Sequence, residues 1–397
     1  MRTYGELFRT REFTPLFAIS GLQVTAQTMA GLALGTLVFA RTGSPLLAAL
    51  SMFGSSFAQL VGAVALLSAA DRLPPRAAAA AMALMFAAAT AVLAIPGLPL
   101  WAVFVLLLSE GLVASLYSAV RYGLITEILP REGFVLGRSV LNMSTGLVQI
   151  VGFVAGGLLL DRLSPRGVLL AGAALFLTAA GVAATGLTSR PARAGGSVSV
   201  AETWRTNRVL LSSRERLPAY LALWVPNGLI VGCESLFVPY APSHAGLLFA
   251  MAAAGMLAGD TVMGRFVAPR WRSRVNAPLR LLLAVPYLAM PVHPPLAIAV
   301  VVVTVASFGY SASLLLQERL VMLTPEEMSG QGLGLQLSGI FAMQGVGAAL
   351  AGGIAQVSSP AVAMGAMALA SSAVTLALAP RLKSVSYKTA GAPVQQA

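Results

Sequence analysis

Cysteine, lysine and histidine are nearly missing from this chain of 397 residues, which has one cysteine (Cys233), two lysines (Lys383 and Lys388) and two histidines (His244 and His293). A single cysteine excludes an intrachain disulfide and a cysteine-built metal site. With no lysine before position 383 there is no G-x-x-x-x-G-K-[ST] phosphate loop, so ATP is not the direct drive by that route. H-E-x-x-H and G-x-S-x-G are absent as well, and the two histidines fall in different loops, which leaves a hydrolase without its usual groups. No catalytic residue, metal or cofactor is expected. Charge is scarce too: 10% of residues are charged against 57% apolar, with a mean hydropathy of +0.82. That is too apolar for a soluble protein of this length, so the lipid bilayer is the solvent.

Twelve apolar stretches remain once the chain is cut at its polar interruptions: Phe13 to Ala40, Pro45 to Ala70, Ala77 to Ile95, Leu98 to Ile125, Leu136 to Leu160, Gly167 to Leu187, Leu217 to Ala241, Ala245 to Val267, Leu279 to Pro291, Leu296 to Gln317, Gly330 to Val357 and Ala361 to Ala379. Most reach the ~20 residues that a helix needs to cross ~30 Å of hydrocarbon. The ninth is short and carries Pro286, and Arg280 at its start is expected to snorkel to the interface. Of the 26 Lys and Arg, 23 fall on the side of the termini and the even-numbered loops; Arg41, Arg162 and Arg166 are the exceptions. Cytoplasmic loops are enriched in these residues, so both termini are expected in the cytoplasm and the chain in the cell inner membrane. The net charge of +12 is thereby explained without nucleic acid, since the basic residues lie in short loops with no interleaved aromatics. The first apolar stretch is too long for a signal-peptide core, so no cleavage is expected.

One polar linker, 189-216, divides the chain into a six-helix bundle at 1-188 and a second at 217-380, followed by a tail at 381-397. A faint internal repeat supports that division. Leu141-Asn142-Met143-Ser144 followed by Gly156-Gly157 returns as Leu335-Gln336-Leu337-Ser338 followed by Gly352-Gly353, and Pro130 with Glu132 returns as Pro325 with Glu326. Two parallel six-helix repeats are what a rocking transporter needs.

Particular motifs sharpen this picture. The opening, Phe13-xx-Leu16 with Ser20, then Leu37-Val38-Phe39 and Thr42-Gly43-Ser44-Pro45, is similar to the start of bacterial drug- and siderophore-type efflux permeases. The loop Asp71-Arg72-Leu73-Pro74-Pro75-Arg76 resembles the G-x-L-x-D-R-x-G-R-[RK] signature of the major facilitator superfamily, with Leu67 and Pro74 in place of its two glycines. Gly152-Phe153-Val154-Ala155-Gly156-Gly157 resembles the G-P-x-x-G-G end of the antiporter motif, with Phe153 where the proline belongs. The resemblance covers essentially the whole chain. It implies an all-α membrane protein of twelve transmembrane helices in two pseudo-repeats, monomeric as is usual there, with helices one, four, seven and ten lining a central cavity.

Carboxyls inside the membrane carry the most chemical information, because an ionised group there costs several kcal/mol without a wet cavity or a partner. Glu110 in the fourth stretch and Glu234 in the seventh are the candidates for proton coupling. Tyr220, Asn227 and Glu234 recur every seven residues and so share a helix face, as do Glu110, Tyr117 and Arg121. Pro226 and Gly228 are expected to loosen the seventh helix. Ser20, Gln23 and Gln27 make a polar stripe in the first helix, and Ser307, Ser311 and Glu318 make one in the tenth. Gln23, Gln27, Tyr117, Arg121, Asn227, Ser307 and Ser311 are thus the substrate-binding candidates. A purely structural role, as interhelical hydrogen bonds, stands beside that reading. By resemblance, Asp71, Arg72 and Arg76 form a gating latch, and Asp260 takes the corresponding place in the second half. The Gly31-xxx-Gly35, Gly152-xxx-Gly156 and Gly255-xxx-Gly259 spacings let helices approach closely.

Together these features point to a secondary active transporter that exports a small molecule, a drug, natural product or siderophore-like compound, in exchange for protons. An uncoupled facilitator or a flippase for lipid-like substrates is the alternative. A membrane receptor is disfavoured because no stretch is long enough for a sizeable soluble domain, and an intramembrane enzyme because no nucleophile set is present.

Overall fold

In the computed structural model, which describes residues 4–65, 73–129, 131–191, 200–325 and 328–383, the apolar stretches are helices. Their starts are written locally. Proline opens several of them, where its missing N–H costs nothing, and Ser44 and Ser164 cap two by accepting the backbone N–H groups of Leu47 and Gly167. The spans are α1 (Phe13–Thr42), α2 (Pro45–Phe53 continuing as Ser55–Ala65), α3 (Pro75–Leu93), α4 (Leu100–Ile128), α5 (Arg131–Leu160) and α6 (Pro165–Gly186). After a linker helix, Val200–Ser212, come α7 (Arg216–Ser235, then a short Phe237–Tyr240), α8 (Ala245–Arg265), α9 (Pro269–Leu282, then a 3-10 segment Val285–Val292) and α10 (Leu296–Phe308, a 3-10 break Gly309–Ser311, then Ala312–Met322). The chain closes with α11 (Ser329–Val357) and α12 (Pro360–Lys383).

Eleven of these are long and apolar enough to cross a membrane among the described residues. The twelfth expected span is α7, which falls short in apolarity. Its position explains why: 15 of its 20 residues are buried, so it meets protein rather than lipid and can carry Asn227 and Glu234. Tyr220 donates to the carbonyl of Gly332 at 3.1 Å and the Trp224 indole to that of Gln336 at 2.9 Å, which ties α7 to α11. Tyr220 therefore serves packing, and leaves the polar face expected at seven-residue spacing. Gly228 does not loosen this helix; a Cβ there would lie 2.5 Å from the Met343 carbonyl, so the glycine allows α7 and α11 to touch backbone to backbone. The chain bends instead at Leu236, directly after Glu234 and Ser235.

The ninth span is longer than the sequence suggests, because α9 begins at Pro269, and Arg280 does not snorkel: it is 3% exposed, and its Nε and Nη2 have no hydrogen-bond partner among the described residues.

The start of α1 and the end of α12 lie at one end of the bundle, the terminal end, and the first and last six spans seal against each other at the opposite, far end. There Ser44 donates to Gln356 at 2.7 Å, Phe153 stacks on Phe249 at 4.8 Å, and Gly157 meets Gly246. One apolar cluster joins Leu32 to Phe237, Leu248 and Phe249 across the two sets. At the terminal end the apolar clusters are separate. Phe13, Leu124 and Ala183 pack within the first six spans, Tyr220, Leu320 and Leu382 within the last six.

Candidate functional site

Two groups of polar side chains are buried within the spans. On the first, Ser20 and Gln23 are buried on α1, and neither the Ser20 hydroxyl nor either amide atom of Gln23 has a hydrogen-bond partner among the described residues. The Tyr117 hydroxyl on α4 lies beside Ser20, beyond hydrogen-bonding geometry, and within electrostatic reach of Arg121 one turn on. Buried polar atoms normally find partners, so enclosed and unsatisfied ones make this a candidate binding place. Gln27, one turn beyond Gln23, is exposed.

The second group is made by the last six spans. Glu234 is 7% exposed at the end of the long segment of α7. It interacts electrostatically with Cys233 beside it, with Tyr287 on the 3-10 segment of α9 and with Tyr310 on the 3-10 break of α10. No ion pair involves it among the described residues. Ser307 and Ser311 are fully buried; Ser307 sits next to the Tyr287 hydroxyl, while Ser311 donates to the Phe308 carbonyl at 2.9 Å. Asn227 is buried two turns before Glu234. Tyr287 and Tyr310 escaped the sequence reading, as isolated aromatics in apolar runs; the available signal was Tyr310 lying between Ser307 and Ser311 of the polar stripe.

Glu110 stands apart from both groups. Its carboxyl meets the Thr90 hydroxyl of α3 at 3.4 Å, in a small cleft with Met85, Phe86, Ala89, Ser109 and Val113. Of the gating candidates, Asp71 and Arg72 lie outside the described residues. Arg76 is half-buried in the first turn of α3. Asp260 on α8 is half-buried, with Oδ1 enclosed and without a hydrogen bond, and lies within electrostatic reach of Tyr310.

At the terminal end, Arg190 makes a bidentate pair with Glu12, just before α1, at 2.7 and 3.0 Å, and approaches Glu127 of α4 at 3.6 Å. Burial alone would raise the Glu12 carboxyl; hydrogen bonds from Arg190 and Thr188 more than offset it and hold it below the usual carboxylate range.

The sequence profile of the Major Facilitator Superfamily matches residues 16–290. The chain belongs to that superfamily. Among solved structures similar to it are a POT family transporter in complex with 5-aminolevulinic acid (TM-score 0.77, 12% identity, covering 95% of this chain and 97% of that one) and a point mutant of the nucleoside transporter NupG (0.76, 14%, 93% and 99%). A third is a bacterial homolog of the human lysosomal transporter Spinster, inward-facing and unoccupied (0.67, 13%, 94% and 95%). At these identities the likeness shows the fold alone. No curated protein sequence matches the chain. This major facilitator is a multi-pass membrane transporter, not an enzyme.

Proposed function

We propose that this transporter exports a small amphiphilic or cationic molecule by alternating access, driven by inward proton movement through Glu234. The observation that carries the reading is Glu234 itself: a carboxyl enclosed in a span too polar to count among the lipid-crossing helices, with no cation paired to it among the described residues. An uncompensated carboxylate in such a place costs several kcal/mol, so its charge follows the opening and closing of the cavity. Substrate and proton then compete for one group. The polar atoms of Ser20, Gln23 and Tyr117 across the bundle, with Arg121, supply the opposing wall of a binding site, and Asn227, Ser307 and Ser311 the near one. Glu110, in its separate cleft against Thr90, is the second candidate for coupling. Export is supported by the likeness of Gly152 to Gly157 to the antiporter motif, and a cytoplasmic terminal end in the inner membrane by the 23 to 3 charge split. The bundles at 1-188 and 217-380 are the rocking units, working as a monomer, with Asp71, Arg72 and Arg76 as the latch.

Drug-sensitivity assays in a strain stripped of other exporters, with and without this chain, identify a transported compound. Purified protein in vesicles with an imposed pH gradient then tests the coupling: Glu234→Gln is expected to abolish uphill movement of that compound while sparing downhill exchange. Uphill transport at the wild-type rate in Glu234→Gln and in Glu110→Gln would remove both acids from the mechanism, and accumulation instead of depletion in whole cells would reverse its direction.

A further inference from the structure

Three spans give up α-helical geometry around Glu234. α7 breaks at Leu236, two residues after the acid; α9 runs as a 3-10 helix from Val285 to Val292, carrying Tyr287; and α10 breaks into a 3-10 turn at Gly309–Ser311, carrying Tyr310. A 3-10 stretch inside a longer helix is poorer in hydrogen-bond geometry and recurs at functional hinges. The break in α10 is held between two helices. Gly309 is packed on the backbone of Leu279 and Leu283 of α9, and on the other side Gly255 and Gly259 place the backbone of α8 against Thr304 and Phe308. Asp260, next to Gly259, is thus brought to the level of the break.

Glu234 is almost wholly enclosed, at 7% exposure. Its neighbours Cys233, Ser235 and Leu236 are fully buried, whereas Asp260 is half-buried and nearer the terminal end. The ring centroids of Phe237 and Phe249 are 4.9 Å apart, which fixes the relative heights of α7 and α8. At ~1.5 Å rise per residue, Glu234 and Asp260 differ by roughly 12 Å in depth. That is too far for one proton transfer between hydrogen-bonded groups. Tyr310, on the 3-10 break of α10, lies within electrostatic reach of both acids.

We propose that Tyr310 and Asp260 form the proton path between Glu234 and the terminal end, inside the last six spans. The Glu234 carboxyl passes its proton to the phenol oxygen of Tyr310, directly or through one water, while the phenol passes its own proton on to the Asp260 carboxylate. Glu234 is left as carboxylate, Tyr310 as neutral phenol and Asp260 as the acid, which, being half-buried, releases its proton to water. The titratable groups around this path include Cys233, Tyr287 and Tyr310 at Glu234, Tyr310 at Asp260, and Glu318 of α10, which lines a cleft with Met263 and Gly264 one turn beyond Asp260. Arg265, on the helix of Asp260, lies further toward the terminal end. The guanidinium of Arg280 on α9, which also packs on the break, interacts with neither acid.

This inference rests on the proposed coupling role of Glu234, and infrared spectroscopy of the full-length protein in lipid separates the two. The pH-difference spectrum should contain a carboxyl C=O band that Glu234→Gln removes; if no band is lost, Glu234 does not titrate and both the coupling reading and the path fall. Given that band, its change after a pH jump should slow tenfold or more in Tyr310→Phe and in Asp260→Asn. It should keep the wild-type rate in Tyr287→Phe, and Asp260→Glu should restore most of the rate. Two separate variants guard against misfolding, since each must also keep the wild-type melting temperature. A wild-type rate in folded Tyr310→Phe or Asp260→Asn would overturn the path and leave the role of Glu234 standing.

Discussion

Single residues of the same chemical type do different work here because their neighbours differ. Glu12, Glu110 and Glu234 are all carboxyls beside or inside the membrane, yet one is clamped by Arg190, one is held by a threonine in a side cleft, and one is enclosed with no ion pair among the described residues. The clamp is the one whose pH behaviour follows directly. Because hydrogen bonding holds the folded Glu12 carboxyl below its unfolded value of ~4.3, the folded state favours the ionised form. The pair therefore contributes fully above the unfolded value, and the contribution is lost as pH falls through the folded one. A partly exposed bidentate pair contributes about 1 kcal/mol. Thermal unfolding of Glu12→Gln should thus show a small loss of stability at pH 7 that disappears in acid below the carboxylate range; an equal loss at all pH would mean that Arg190 contributes by packing alone. The acids, Ser20, Tyr117 and Arg121 were legible from residue type and helical spacing. The burial of Arg280 was not, because a cation near a span's end reads the same whether it faces water or protein.

At the scale of helices, hydropathy located the spans well where lipid is the neighbour, and less well where protein is. α7 is the clearest case, since its polar residues lower its hydropathy for the same reason that makes it central. Helix breaks were largely illegible, since the 3-10 turn at Tyr310 is set by how closely α8 and α9 pack, not by a local proline. Glycine spacing was a mixed guide. Gly255 and Gly259 do bring two backbones together, but Gly31, paired with Gly35 in the same motif, faces open space. This contrast predicts opposite effects of one substitution. Gly31→Ala should leave stability unchanged or raise it by up to ~1 kcal/mol through helix propensity. Gly228→Ala places a methyl against the Met343 carbonyl and should cost about 1–3 kcal/mol. Thermal unfolding of the two purified variants decides it, and equal stabilities would show that α7 and α11 can separate freely.

In the whole molecule the far end is sealed and the apolar clusters of the terminal end are kept apart. The proposed alternating access requires that the seal open once per turnover, which makes its hydrogen bond between Ser44 and Gln356 a useful handle. These residues belong to α2's cap and the last turns of α11, on opposite halves of the chain. In a Cys233→Ala background, cysteines at both positions should be joined by a short bifunctional thiol reagent that cannot cross membranes, added outside sealed cells, because the far end is expected to face outward. Transport should then stop, and reduction of the link should restore it. Labelling only after the membrane is broken would invert the orientation drawn from the 23 to 3 charge split. Full transport with the link intact would show that the far end stays shut while substrate crosses, and the rocking of two six-helix units would have to be replaced by a smaller internal motion around Glu234.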